Sequence, residues 1–304
     1  MDAEDWSLFQ NCLRIAQTSG DLILNTEEFQ QQLLIDIVSC AEKYCPPTPT
    51  SPIGTPTRVS GKKSPFHDYR TLLLDNDGDR ATFDSLVTTL EEGDMPSMPG
   101  DVKQEMYALS EAVHKFAFDI VFAPLQQQLT LVATMEVWVS ETSGAAITAN
   151  LPTFSLSPQE YITKIGQYLM TLPQQLDPFS LEDNPSLSAA LRHSSLPYTN
   201  IQAESLESLA DVWLESVARG TMHVYTEVIL QIPQLTPHST QQLITDIDYL
   251  VNVLDDLGLP SSDNIKDIMS LLKAPVSSYQ QVAEAAPRRL ASAIAGMRSI
   301  TLME

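Results

Sequence analysis

The sequence predicts an all-α fold, an elongated stack of antiparallel helices. Three observations carry that expectation. Apolar residues recur at three- and four-residue steps through most of the 304-residue chain, the signature of helices with one buried side. Strand-like alternation is scarce. Prolines and glycines stand between the periodic stretches and punctuate them. Each apolar stripe covers one side of its helix rather than the circumference, and such helices bury themselves by stacking in layers. No repeat of fixed length occurs, which excludes a strict solenoid.

The elements follow in chain order. "DWSLFQNCLRIAQ" sets Trp6, Phe9, Leu13 and Ala16 on one stripe. "NTEEFQQQLLIDIVSCAEKY" does the same with Phe29, Leu33, Ile37 and Ala41, and Asn25 with Glu28 reads as a capping box that opens a second helix. Residues 1–45 thus form an N-terminal helical segment. "CPPTPTSPIGTPTRVSGKKSPF" holds six prolines among small polar residues, and cannot repay the entropy of ordering. Residues 46–100 are therefore expected as a disordered, Pro-rich linker and a weakly structured acidic segment. Residues 101–304 are expected as a C-terminal α-helical bundle or rod domain.

Within that domain, one apolar series runs through Val113, Phe116 and Ile120, then Val121, Leu125, Leu129, Val132 and Trp138. Pro124 falls inside it and predicts two segments or one kinked helix. "SPQEYITKIGQYLMTL" opens with Ser157 as N-cap, Pro158 at the first helical position and Glu160 as box partner. Its stripe is Ile162, Ile165, Leu169 and Leu172. "SLEDNPSLSAALRHSSLPYTN" reads as a polar connection. Leu209, Trp213, Val217, Tyr225, Val228 and Ile232 mark the next helix, weakened at Gly220. Thr236 and Pro237 start a helix whose stripe is Leu243, Ile247, Leu250 and Leu254, stopped by Gly258. Ser278 with Gln281 suggests another box, and Pro287 a last start. Prolines 158, 173, 233, 237, 275 and 287 read as turn punctuation.

Composition narrows the function. The net charge is −22. That sign disfavours nucleic acid and broad adhesion to anionic lipid. "PRRLASAIAGMR" is the strongest candidate for a local basic patch, and also reads as an amphipathic helix with solvated arginines. Cys12, Cys40 and Cys45 make an odd count, expected as free thiols in a reducing compartment. "MDAEDWSLFQ" lacks the apolar core of a signal peptide. No run approaches the ~20 apolar residues of a membrane span. The expected setting is cytosolic or nuclear, with any membrane contact peripheral and no transmembrane segment.

Candidate chemistry fails at each position. Asp75, Asp77 and Asp79 fit positions 1, 3 and 5 of a calcium loop, but Arg80 stands where the loop needs glycine and Leu86 where it needs a bidentate glutamate. His67, His114, His193, His223 and His238 show no metal-ligand spacing. His223 reads as a structural core histidine. Asp246/Asp248 and Asp255/Asp256 read as a solvated helix face. Trp6, Trp138 and Trp213 read as core. No nucleophile elbow, phosphate loop or dinucleotide fingerprint is present. No residue is assigned a catalytic, cofactor-binding or metal role, and no cofactor is expected.

Several stretches together resemble a known family. "FDIVFAPLQQQL", "QYLMTLPQQLDPF", "WLESVARGTMHVYTEVILQIPQLTPHSTQQLITDIDYLVNVLDDLGL" and "APRRLASAIAGMRSI" are similar to the C-terminal part of the subunit 7 family of the conserved oligomeric Golgi complex. "DWSLFQNCLRIAQTSGDLIL" resembles an earlier piece of the same region. The resemblance implies a helical-rod tethering-factor architecture and a non-catalytic subunit acting in retrograde intra-Golgi transport, and so in glycosylation and Golgi organisation. It implies subunits 5, 6 and 8 as partners, further contacts among SNAREs, Rabs, golgins or coat proteins, and the cytosolic face of the Golgi membrane as the setting. The N-terminal coiled-coil region through which such subunits assemble has no counterpart here, so the sequence is expected to be either a fragment or an incomplete gene model, and assembly through it alone is not expected. The competing class is an all-α enzyme or ligand-binding helical domain, and a third reading is an unrelated cytosolic α-helical adaptor. A cavity of ~300 Å³ or more with convergent polar groups would favour ligand binding.

Overall fold

The N-terminal periodicity resolves into one long helix rather than two. The computed structural model describes residues 3–44, 81, 100–138, 156–180, 184–199 and 209–301. Its first helix, α1, runs unbroken over Ala3–Tyr44. Asn25 and Glu28 lie mid-helix and cap nothing. No proline interrupts α1, and Gly20 has a packing reason. A Cβ at Gly20 would collide with the backbone of Ser186 on a crossing helix, so only glycine permits that approach.

Further helices among the described residues are α2 (Gly100–Thr130), α3 (Glu160–Ser180), α4 (Pro185–Arg192), α5 (Leu209–Ile229), α6 (Pro237–Asp256), α7 (Asp263–Lys273), α8 (Tyr279–Ala285) and α9 (Arg288–Met297). Short 3-10 turns sit at Val132–Thr134, Glu136–Trp138 and Val276–Ser278. No strand occurs among the described residues. The all-α expectation therefore holds. Contacts progress along the chain: α1 packs on α2 and α4, α2 on α5, α3 on α5 and α6, then α6 on α7 and α7 on α9. One hydrophobic cluster, from Phe9 to Met297, joins them.

Of the six punctuating prolines, Pro158, Pro233, Pro275 and Pro287 stand outside the helices, and Pro173 departs from that role. Pro124 lies inside the continuous α2, and Pro173 and Pro178 lie inside α3. An interior proline removes one hydrogen bond and costs ~3 kcal/mol. Burial offsets that here, because Leu169, Leu172, Leu176 and Phe179 all reach the core around Pro173 and Pro178. Beside Pro124, the Tyr168 hydroxyl donates to the Val121 carbonyl at 2.7 Å. Pro237 does begin α6, where Thr236 and Ser239 form the capping box. Gly258, at φ +73°, ends that helix. The amides of Gly258 and Leu259 bond back to Asp255 and Leu254, a Schellman closure. Ser278, in contrast, makes no side-chain cap.

Three further expectations change. The connection after α3 holds a helix, α4, capped by the Asn184 side chain at 3.1 Å. Its buried residues, Ser186, Leu187, Ala189, Ala190 and Leu191, lie within two turns, too short a run for a stripe to stand out. In α2 the inward side is His114, Ala117, Phe118 and Val121, and Phe116 faces outward. Phe29 and Leu33 of α1 are exposed as well. The stripe Leu243, Ile247, Leu250 and Leu254 is wholly buried. The acidic turn at Asp75–Leu86 and the Pro-rich stretch fall outside the described residues, except Ala81 in the former.

Candidate functional site

The polar heart of the protein lies where α3, α5 and α6 meet. Asp246 was expected on a solvated face, yet it is fully buried. Its neighbours are Leu243 and Ile247 on the same helix, so the core-facing side of α6 is wide enough to include it. One carboxylate oxygen accepts from the Gln159 backbone amide at 2.8 Å and from Gln242 Nε2 at 3.0 Å. The other accepts from the Tyr161 hydroxyl at 2.9 Å. Tyr161 has one proton, given to the carboxylate, so Tyr225 donates to Tyr161 at 2.8 Å. Gln242 also donates to the Ser157 carbonyl at 2.8 Å.

This cluster explains how α3 begins. The helix starts at Glu160, and the Thr163 amide bonds the Gln159 carbonyl. The amide of Gln159 is held by Asp246 across the core, not by Ser157 from its own chain segment. A carboxylate at a helix N-terminus also complements the helix dipole. Burial raises the Asp246 carboxyl above its ordinary value, and its three donors pull it partway back. Burial raises both tyrosine hydroxyls too. The arrangement docks α6 on α3 and α5. It has no lining in common with either surface groove.

The histidines divide by burial. His114, not His223, is the core histidine. Its Nδ1–H donates to the Ser110 carbonyl at 2.8 Å, and burial lowers its pKa. The ring packs near Trp213. His223 is exposed and tilts against Tyr198. His193 stacks on Tyr107 at 3.8 Å. Cys12 is buried, which raises its thiol pKa and keeps it a weak nucleophile. Trp138 and Trp213 are core, and Trp6 is half-buried against Tyr168. Among the described residues no three acidic, histidine or cysteine side chains gather as metal ligands do.

Two open grooves were invisible to sequence. One, of about 420 Å³, is lined by Trp6, Pro124, Lys164 and Tyr168. The other, of about 500 Å³, is lined by Leu235, Ile244, Lys273, Val276 and Arg298. Both exceed the usual lower size of ligand sites, but their cations are engaged. Lys164 pairs with Glu160 at 2.7 Å and Lys273 with Asp248 at 3.3 Å. Arg298 donates to the Leu271 and Ala274 carbonyls at the end of α7. Arg289 forks onto Glu227. Within the candidate basic patch, Arg289 is thus taken up by Glu227 and Arg298 by backbone carbonyls, while Arg288 is exposed. Neither groove sets a general base beside a nucleophile.

By length and composition the region Val102–Trp138 could cross a membrane, although it holds no unbroken apolar run of that length. Here Phe118, Val121, Phe122, Leu125 and Leu129 of that region are buried in the protein core.

The fold and its buried polar junction define a helical scaffold, whose polar chemistry fastens helices together. The chain belongs to the Golgi complex component 7 (COG7) family, whose model matches residues 1–299. It is 41% identical over 309 residues to conserved oligomeric Golgi complex subunit 7 of Mus musculus and 40% identical over the same length to that of Homo sapiens. Each match covers 98% of this chain and 40% of the relative. The Drosophila melanogaster subunit is 31% identical over 298 residues, covering 98% of this chain and 37% of the relative. The chain thus spans about 40% of the length of the mammalian relatives it matches. No solved structure matches it.

Proposed function

We propose that the chain serves as a non-catalytic, helix-stacked part of the subunit 7 component of a Golgi vesicle-tethering complex. In this reading it acts in retrograde intra-Golgi transport at the cytosolic face of the Golgi membrane. It thereby keeps glycosylation enzymes in their cisternae. Its partners are other subunits of the complex, subunits 5, 6 and 8 first, with SNAREs, Rabs, golgins or coat proteins as transient contacts. The observation that carries the reading is the family match over residues 1–299. The buried polar junction supports it, since Asp246 spends its hydrogen bonds on helix docking. Rapid depletion of the protein in its own cells tests the reading. Loss of terminal glycan residues from surface glycoproteins and dispersal of Golgi glycosyltransferases are expected. Unchanged lectin staining after complete depletion would contradict it.

A further inference from the structure

The exposed apolar residues are not scattered. Among the described residues, seven of the thirteen large exposed hydrophobics fall on two series: Leu8, Ile15, Leu22 and Phe29 of α1, and Val102, Leu109 and Phe116 of α2. Each series steps by seven. They are 40% to 56% exposed, while their following neighbours Phe9, Ala16, Ile23, Ser110 and Ala117 are buried. Scattered surface hydrophobics need no explanation, but an aligned row does.

The two rows meet along one seam. Thr26 Oγ1 contacts Met106 Sδ at 3.7 Å. At the other end Trp6 stacks on Tyr168, whose hydroxyl reaches Val121. The helices are therefore antiparallel, and Phe29 stands level with Val102, Leu22 with Leu109, and Ile15 with Phe116. The exposed Ala123 completes the series beside Leu8. Thr26 is four residues from Leu22, and Met106 three from Leu109. Residues at those spacings share a helix side, so both rows flank the seam where α1 and α2 touch. The levels from Leu8 to Phe29 span about 30 Å at the helical rise.

We propose that this seam is the docking groove for a basic amphipathic helix of another polypeptide. A strict seven-residue spacing stays in line only with a partner helix that supercoils against it. Charge selects among occupants. The α1 and α2 sequences carry eleven carboxylates against four lysines and arginines. A second copy would set that surface against a chain of net charge −22. The chain's own residues 81–94 hold Asp84, Glu91, Glu92 and Asp94 and no lysine or arginine. Both would oppose like charges, whereas lysines and arginines flanking an apolar seam complement the rim.

The probe is a synthetic helix of about four heptads, with leucine at a and d and lysine at e and g, measured by fluorescence anisotropy on the full chain. It binds at least tenfold tighter than a scrambled peptide of equal composition. The Leu22→Ser/Leu109→Ser variant loses at least tenfold with an unchanged melting temperature, and Val276→Ser binds normally. Equal binding of the scrambled peptide, or by the seam variant, would overturn the proposal as charge attraction alone. A dimer in sedimentation that the seam variant disperses would assign the groove to a second copy instead. A tenfold gain in binding from Phe83→Ser/Leu86→Ser/Leu90→Ser would assign it to the chain's own segment.

Discussion

Replacing Asp246 should separate a docking role from a merely tolerated buried charge. Asp246→Ala removes the acceptor for the Gln159 amide, the Tyr161 hydroxyl and Gln242 Nε2. Gln242 keeps the Ser157 carbonyl, and Tyr161 can turn its proton to Tyr225. The Gln159 amide at the start of α3 keeps nothing. One buried donor left unmade costs ~1–3 kcal/mol, and lost packing adds to it, so ~2–4 kcal/mol is expected. Asp246→Asn preserves one acceptor oxygen for Gln159 and Gln242 and should cost ~1–2 kcal/mol. The pH dependence has a defined sign. Burial raises the folded-state pKa of Asp246 above 3.8, its ordinary value. Its contribution is therefore fully present below that ordinary value and is lost as pH rises through the raised one. The Asn variant does not titrate there, so wild type should lose stability relative to Asp246→Asn as pH rises through that window. Urea unfolding of the three proteins at several pH values measures this. A harmless Asp246→Ala, or a wild-type advantage that grows with pH, would refute the reasoning.

Three other outcomes follow from packing. Gly20→Ala should destabilise by ~1–3 kcal/mol or more, because the new methyl meets the rigid Ser186 backbone; thermal melts check it. Leu250→Ala should cost ~2–5 kcal/mol, and Asp255→Asn, an exposed change, less than ~0.5 kcal/mol; denaturant unfolding of the pair distinguishes them. Ser299 closes α9 at φ +55°, a conformation glycine adopts without strain, so Ser299→Gly should stabilise by up to ~1 kcal/mol; a raised melting temperature reads it out.

The helix class and the α6 stripe were legible because local periodicity dictates them. Leu243, Ile247, Leu250 and Leu254 recur at helical spacing and are all buried. The junction was not legible, because Tyr161 and Asp246 meet across 85 residues and no local pattern records such a pairing. An acidic residue beside apolar neighbours looks solvated until its donors are known. Periodicity also cannot tell a stripe that is covered from one that is bare. Phe29 and Leu33 read like Ile162 and Ile165, yet the first pair is exposed and the second buried. Pro173 misled for a related reason. Its local cost is real, and only the tertiary burial of Leu169, Leu172 and Leu176 outweighs it. Helix α4 escaped because eight residues, little more than two turns, carry little periodic signal.

Affinity purification of the endogenous protein, tagged at its own locus, followed by quantitative identification of what it retains, tests the scaffold reading most directly. Retention of subunits 5, 6 and 8 of the Golgi complex in near-equal amounts is the expected result. A protein that purifies alone, or with an assembly unrelated to the Golgi, would contradict it.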